Sequence, residues 1–183
     1  RRIEPQVTRD LIDIEGQVEG NLVGLAYRLK GVDRFSEKIK ADAEEMSLSL
    51  LETDKKSTDV LRYTMAIDES KFTDGYLKTV ESLVRKGYNE IRVKNTFLEG
   101  ASYKGINTLL SDTAGNIFEL QYHTPKSHEI KESVLHKLYE KSRTSTDVSE
   151  QKQLDAEMVR VSNDIPNPIN VDRIKNILKI KDE

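Results

Sequence analysis

The sequence predicts an α+β domain: a mixed five-stranded sheet flanked by helices, with a C-terminal helical extension. Three observations carry this expectation. Residues 104–111 and 116–123 flank an Asp-Thr-Ala-Gly turn, and Phe118 to His123 alternate in polarity, the pattern of a hairpin. Upstream, segments with period-two alternation interleave with segments whose apolar residues recur every three to four positions. After Pro125 only the helical period remains.

Taken in order, residues 5–21 space Val7, Leu11, Ile14 and Val18 along one helix face. Val23, Leu25, Tyr27 and Leu29 then alternate with Gly24, Ala26, Arg28 and Lys30, predicting a first strand over 22–31 with two cations on one side. Phe35, Ile39, Ala43, Met46 and Leu50 return to helical spacing over 33–52. After a loop at 55–58, "DVLRYTMAI" at 59–67 predicts the second strand. Thr73 and Asp74 are placed to cap a helix over 75–86, with Leu77, Val80 and Val84 inward and Gly87 as its stop. Residues 88–94 predict a third strand, ahead of the hairpin. Helices are expected over 126–142 and 147–163, and a last short one over 171–180, beyond the breakers Pro166 and Pro168. The expected organisation is an N-terminal helix (1–22), a main domain (23–143) and a helical extension (144–183).

Composition narrows the function classes. The 183 residues carry a net charge of −3, so no global cation excess points to nucleic acid. There is no cysteine, which removes disulfides, thiol catalysis and cysteine zinc sites. No apolar run reaches the roughly 20 residues of a membrane span. The start at Arg1-Arg2, without Met, reads as an excised or processed piece.

Several residues have chemistry to offer. In "GNIFELQYHTP" (115–125), Phe118, Leu120 and Tyr122 share one strand face, and Glu119, Gln121 and His123 share the other. That polar row is either a solvated face or the floor of a site. Arg28, Lys30 and Lys38 would converge where a strand enters a helix and could hold a polyphosphate, or be surface charges. Asp59 and Glu119, on neighbouring strands, are the donor type that Mg²⁺ takes, or ordinary acids, Asp59 being also a turn residue. Tyr103 could stack on a base with Asn107 bonded beside it, or be a core tyrosine and a turn asparagine. His123, His128 and His136 lack the spacing of a helical metal pair, so metal binding by histidine is not expected.

In combination these stretches resemble the RelA/SpoT-type alarmone synthetases. Arg28-Leu29-Lys30, with Lys38 ten residues after Arg28, is similar to that family's arginine-x-lysine motif and following helix. Asp59 falls where the family has its first magnesium aspartate. Lys94-Asn95, a loop, and Ser102 to Thr108 resemble its lysine-aspartate-tyrosine and glycine-tyrosine-x-serine-x-histidine-threonine stretches. Glu119, Gln121, His123 and Thr124 resemble its glutamate-x-glutamine-x-arginine-threonine strand, and His136 to Lys141 resembles the end of the next helix. The resemblance spans about residues 25–141. The departures lie largely on the acceptor side: Gly105 stands for a serine, Asn107 for a histidine and His123 for an arginine. The second strand lacks the family's glycine, and its Arg62 is three rather than five residues past the aspartate.

The resemblance implies a nucleotidyltransferase-like fold and an ATP-dependent pyrophosphokinase, transferring the β,γ-pyrophosphate of ATP to a nucleotide 3′-hydroxyl, as in (p)ppGpp or (p)ppApp synthesis. It implies Asp59 and Glu119 as catalytic, Mg²⁺-holding carboxylates. Arg28, Lys30 and Lys38 would hold ATP phosphates, and Arg62 adenine or phosphate. Lys94, Asn95, Tyr103, Asn107, Gln121 and His123 would surround the acceptor. A toxin domain with an antitoxin or immunity partner, acting in the cytoplasm after delivery within a larger protein, is a natural form of this reading. The alternatives are an RNA-targeting toxin of the same fold, pyrophosphorylating a tRNA 3′ end or ADP-ribosylating RNA, and a non-catalytic interaction domain of a phage or secreted protein. The C-terminal helices are candidates for homo-oligomer contacts.

Overall fold

Apolar spacing explains most of the architecture. The computed structural model describes residues 3–29 and 61–179. Val7, Leu11, Ile14 and Val18 all lie buried on one face of α1 (Glu4–Val18), as their spacing predicts. Glu19 closes the helix, and the chain passes straight into β1 (Gly20–Val23). The strand expected over 22–31 is therefore corrected. Gly24 adopts φ +67°, a conformation costly for residues with a Cβ, and turns the chain into a 3₁₀ turn at Leu25–Tyr27. Arg28 follows that turn instead of riding on a strand, and the backbone bridge to the next strand is Leu29 with Leu61.

Strand β2 (Arg62–Ile67) leads through a 3₁₀ turn at Glu69–Lys71 into α2 (Phe72–Arg85). The expected cap is also corrected. Asp68, not Thr73 or Asp74, caps this entry, accepting the Ser70 N–H at 3.0 Å, while Thr73 lies inside α2 and donates to the Ile169 carbonyl. The buried stripe of α2 is Phe72, Tyr76, Thr79 and Leu83; Leu77 and Val84 face outward. Two aromatic rings on that stripe offer more area for burial than Leu77 and Val84 do. Gly87 ends the helix as expected, at φ +90°.

Strands β3 (Asn89–Asn95), β4 (Ile106–Ser111) and β5 (Ile117–His123) follow, with the expected hairpin between β4 and β5. The Asp112 carboxylate fixes that turn by accepting the N–H groups of Ala114 and Asn116. One helical run then comprises α3 (Pro125–Ile130), a π-helical turn (Lys131–Leu135) and α4 (His136–Thr144), and α5 (Val148–Asn163) packs back on α4. Residues 171–179 do not form the helix expected over 171–180. A 3₁₀ turn at Val171–Arg173 leads to β6 (Ile177–Leu178), which pairs with β3 and satisfies backbone groups on its open edge.

The described residues thus build a mixed sheet of six strands rather than five, in the order β1-β2-β5-β4-β3-β6. β2 and β5 run parallel and every other pair antiparallel. Helices α1 and α2 cover the face carrying Tyr63, Met65, Phe118, Leu120 and Tyr122, where Phe118 meets the rings of Tyr63 and Tyr88 edge to face. On the other face of β5, Glu119, Gln121 and His123 are buried as well, beneath the helical run that begins at Pro125. No helix among the described residues is long and apolar enough to cross a membrane.

Candidate active site

The polar row of β5 sits mid-sheet. On the parallel neighbour β2, Arg62 lies opposite Glu119 and Thr64 opposite Gln121; on β4, Asn107 lies opposite Gln121, and on β3 Lys94 lies opposite Asn107. Residues in register share a sheet face, so these side chains converge. The Arg62 Nε donates to Glu119 Oε2 at 2.7 Å, and the Gln121 amide donates to Glu119 Oε1 at 2.8 Å. Both carboxylate oxygens are thus engaged in a buried position, where an unpaired charge would cost several kcal/mol. From the π-helical turn opposite, Lys131 Nζ donates to Gln121 Oε1 at 2.9 Å. Burial holds this ammonium below its ordinary range. The question left open by the alternation is answered: this polar face is not a solvated one.

At the end of the row a second chain forms. His123 Nε2 meets the Tyr103 hydroxyl at 2.7 Å, and its Nδ1 meets Ser127 Oγ at 2.9 Å. Tyr103 also bonds Asn107 Oδ1, at 3.1 Å. Burial keeps His123 neutral, well below its ordinary 6.5, with repulsion from Lys131 and His128 adding to the effect. Burial, together with the Glu119 charge, holds the Tyr103 phenol well above 10. Gly105 makes room for the pair: a Cβ there would lie 2.7 Å from the Tyr103 hydroxyl oxygen and 2.8 Å from His123 Cε1.

The structure therefore brings together Arg62, Glu119, Gln121, Tyr103, Asn107 and His123 of the residues expected from sequence, with Lys94 exposed at the margin of the same face. Two others go elsewhere. Arg28 is bonded to Glu4 of α1, at 2.5 Å, and to the Leu25 carbonyl, because the turn at Gly24 aims it at the helix covering the apolar face. Asn95 donates to the carbonyls of Val171 and Ile174 and accepts the Phe97 N–H, which anchors the C-terminal segment to the end of β3. Lys30, Lys38 and Asp59 lie outside the described residues. Sequence reasoning missed Lys131 and Ser127. Their spacing of four from each other, after a strand with a polar row, was the available signal.

Among the described residues no three histidines, aspartates or glutamates cluster as metal ligands. Glu119 offers one buried carboxylate. That fits Mg²⁺ in its common mode, held by one or two carboxylates and completed by substrate phosphate oxygens and water. The row can accept a proton at a carboxylate while flanking cations neutralise an anionic group beside it.

Neither a protein-family model nor a curated protein sequence matches the chain. Solved structures do. Small alarmone synthetase 1 from Bacillus subtilis superposes with a TM-score of 0.61 at 16% identity, over 89% of this chain and 84% of its own. It has also been solved bound to its product pppGpp and to AMPCPP. The type VI effector Tas1, solved with its immunity protein, matches at a TM-score of 0.59 and 15% identity, over 87% and 88% of the two chains. A GTP pyrophosphokinase family protein from Streptococcus pneumoniae matches at 0.55 and 14%, over 88% and 85%. The chain has the fold of these proteins, and the resemblance carried by its ordered motifs meets the same fold in three dimensions.

Proposed function

We propose that this protein is a nucleotide pyrophosphokinase, moving the β,γ-pyrophosphate of ATP to the ribose 3′-hydroxyl of an acceptor nucleotide and releasing AMP. The observation that carries the proposal is the buried Glu119 carboxylate, held between Arg62 and Gln121 at the centre of the sheet in this fold. In the reaction the acceptor 3′-oxygen forms a bond to the β-phosphorus of ATP. The bond from that phosphorus to the oxygen bridging it to the α-phosphate breaks, and AMP leaves with that oxygen. Glu119 takes the hydroxyl proton. Such transfers are accelerated mainly by positioning and charge neutralisation, which is what the cations around the row provide. Arg62 neutralises Glu119 at rest and is placed to meet phosphate. Tyr103, Asn107 and Gln121 form the acceptor side. When bound with ATP, Mg²⁺ would be held by Glu119, together with Asp59, and would supply charge neutralisation to the phosphates.

ATP as donor is supported by the B. subtilis synthetase solved with AMPCPP, and a nucleotide acceptor by its complex with pppGpp. The likeness to Tas1 supports a toxin form of the same activity, restrained by an immunity protein. The test is incubation with ATP labelled at the γ-phosphate and each purine nucleotide as acceptor, followed by chromatography. Label appearing in a new nucleotide supports the proposal. Label appearing only in inorganic phosphate or pyrophosphate, or in no product, opposes it.

A further inference from the structure

Lys131 enters the site from the side opposite the sheet, where the helix passes into a π-helical turn. An α-helix of 3.6 residues per turn drifts by about 40° over each four-residue step. Ser127, Lys131 and Leu135 are spaced by four, and Ser127 and Leu135 are buried. The wider π-helical turn over Lys131–Leu135 offsets that drift between Lys131 and Leu135, so that Leu135 is buried while Lys131 reaches the row; such turns are frequent at functional sites. The ammonium's partner on the row is a neutral amide, Gln121. Its nearest carboxylate, Glu132, lies 3.4 Å away with a half-exposed side chain. A part-buried ammonium whose partners are one neutral amide and one half-exposed carboxylate keeps the capacity to take a further anion.

The neighbouring residues identify where that anion belongs. Arg62 pairs with Glu119 at the opposite end of the row, and His123 at the end of β5 is buried and hydrogen-bonded at both nitrogens. So the Tyr103–Asn107–His123 end of the row receives a part-buried cation, among the described residues, from the facing helix. A lysine is a compact charge with three rotatable donors, suited to a phosphate chain.

We propose that Lys131 is a specificity-determining residue that binds the 5′-phosphates of the acceptor nucleotide. This rests on the pyrophosphokinase reading. Affinity for the acceptor then rises with the number of its 5′-phosphates, and Lys131 is the side chain that reads that number.

The test is calorimetric titration with the guanosine and adenosine 5′-mono-, di- and triphosphates, with the donor site saturated by AMPCPP and no transfer possible. Wild type, Lys131→Met and Lys131→Arg are compared, with thermal melts of each. We expect Lys131→Met to weaken binding of the triphosphate by at least about tenfold and of the monophosphate by less than about threefold. Lys131→Arg should retain most of the affinity. Neither melting temperature should fall, since a methionine keeps the stem and removes a part-buried charge. Equal losses for all three phosphate lengths, no loss, or a loss that tracks unfolding in both variants would overturn the role of Lys131. If wild type binds neither series, the pyrophosphokinase reading fails and this inference with it; if wild type binds and Lys131→Met binds equally well, only the inference fails.

Discussion

Arg62 and Glu119 are direct neighbours across the parallel β2–β5 pair, with the guanidinium Nε 2.7 Å from Glu119 Oε2. The arginine side chain is 45% exposed and the glutamate 8%. The pair therefore joins a solvent-facing cation to a buried anion, and the arginine can leave for an incoming phosphate at little desolvation cost.

Arg62→Met keeps the length of the stem and removes the charge. Glu119 then retains the hydrogen bond from Gln121. Charge-assisted bonds are worth about 1.5–3 kcal/mol, and the exposure of Arg62 lowers that, so we expect a stability loss of about 1–2 kcal/mol. Pyrophosphoryl transfer should fall at least about tenfold in kcat/KM. Chemical denaturation and steady-state rates check both, and wild-type values in either would contradict the pairing.

Folded protein keeps His123 neutral well below its ordinary 6.5, whereas the unfolded chain takes up the proton near that value. Below about pH 6.5 the unfolded state binds more protons, so this group removes stability as pH falls, by up to about 1.4 kcal/mol per unit; above that pH it contributes no slope. His123→Gln should flatten the pH dependence of thermal stability between about pH 5 and 6.5. The same slope in the variant would assign it to another group, with His128, also lowered by burial, the next in line.

Gly105→Ala would set a Cβ against Tyr103 and His123 at distances that real Cβ atoms do not reach. Tyr103 and His123 must move apart. The expected cost is about 1–3 kcal/mol of stability, with the acceptor KM rising more than the ATP KM. A variant with unchanged stability and equal effects on both substrates would mean that this contact positions nothing.

Asn95→Ala removes three side-chain hydrogen bonds that tie the end of β3 to its own loop and to residues 171–174. Stability should drop by about 1–2 kcal/mol while the acceptor KM stays within about twofold. A raised KM at unchanged stability would place Asn95 in contact with the acceptor.

How legible the sequence is depends on how local the determinant is. The faces of α1 and β5 and the β4–β5 hairpin follow from period and turn chemistry, and the structure agrees with each. Glu119 and Gln121 were readable as a row because strand alternation is rigid. The misread elements depended on a single backbone angle or on contacts elsewhere. The apparent strand through Arg28 is broken by one residue, Gly24, whose positive φ no alternation count registers. The segment 171–179 becomes a turn and a strand because β3 presents an open edge to it. Leu77 and Val84 lose the inward face of α2 to Phe72 and Tyr76. Lys131 lies in a stretch of mixed charge, and only the π-helical turn and the opposing Gln121 show what it faces.

The central claim is that Glu119 serves pyrophosphoryl transfer, and its most direct test counts both products. Wild type and Glu119→Gln, matched in fold by circular dichroism, are incubated with ATP, Mg²⁺ and purine nucleotide acceptors. AMP and 3′-pyrophosphorylated nucleotide are then measured by ion-pair chromatography with mass detection. The account predicts the two products in equal amounts from wild type and neither from Glu119→Gln. ADP and phosphate in their place, or undiminished transfer by Glu119→Gln, would contradict it.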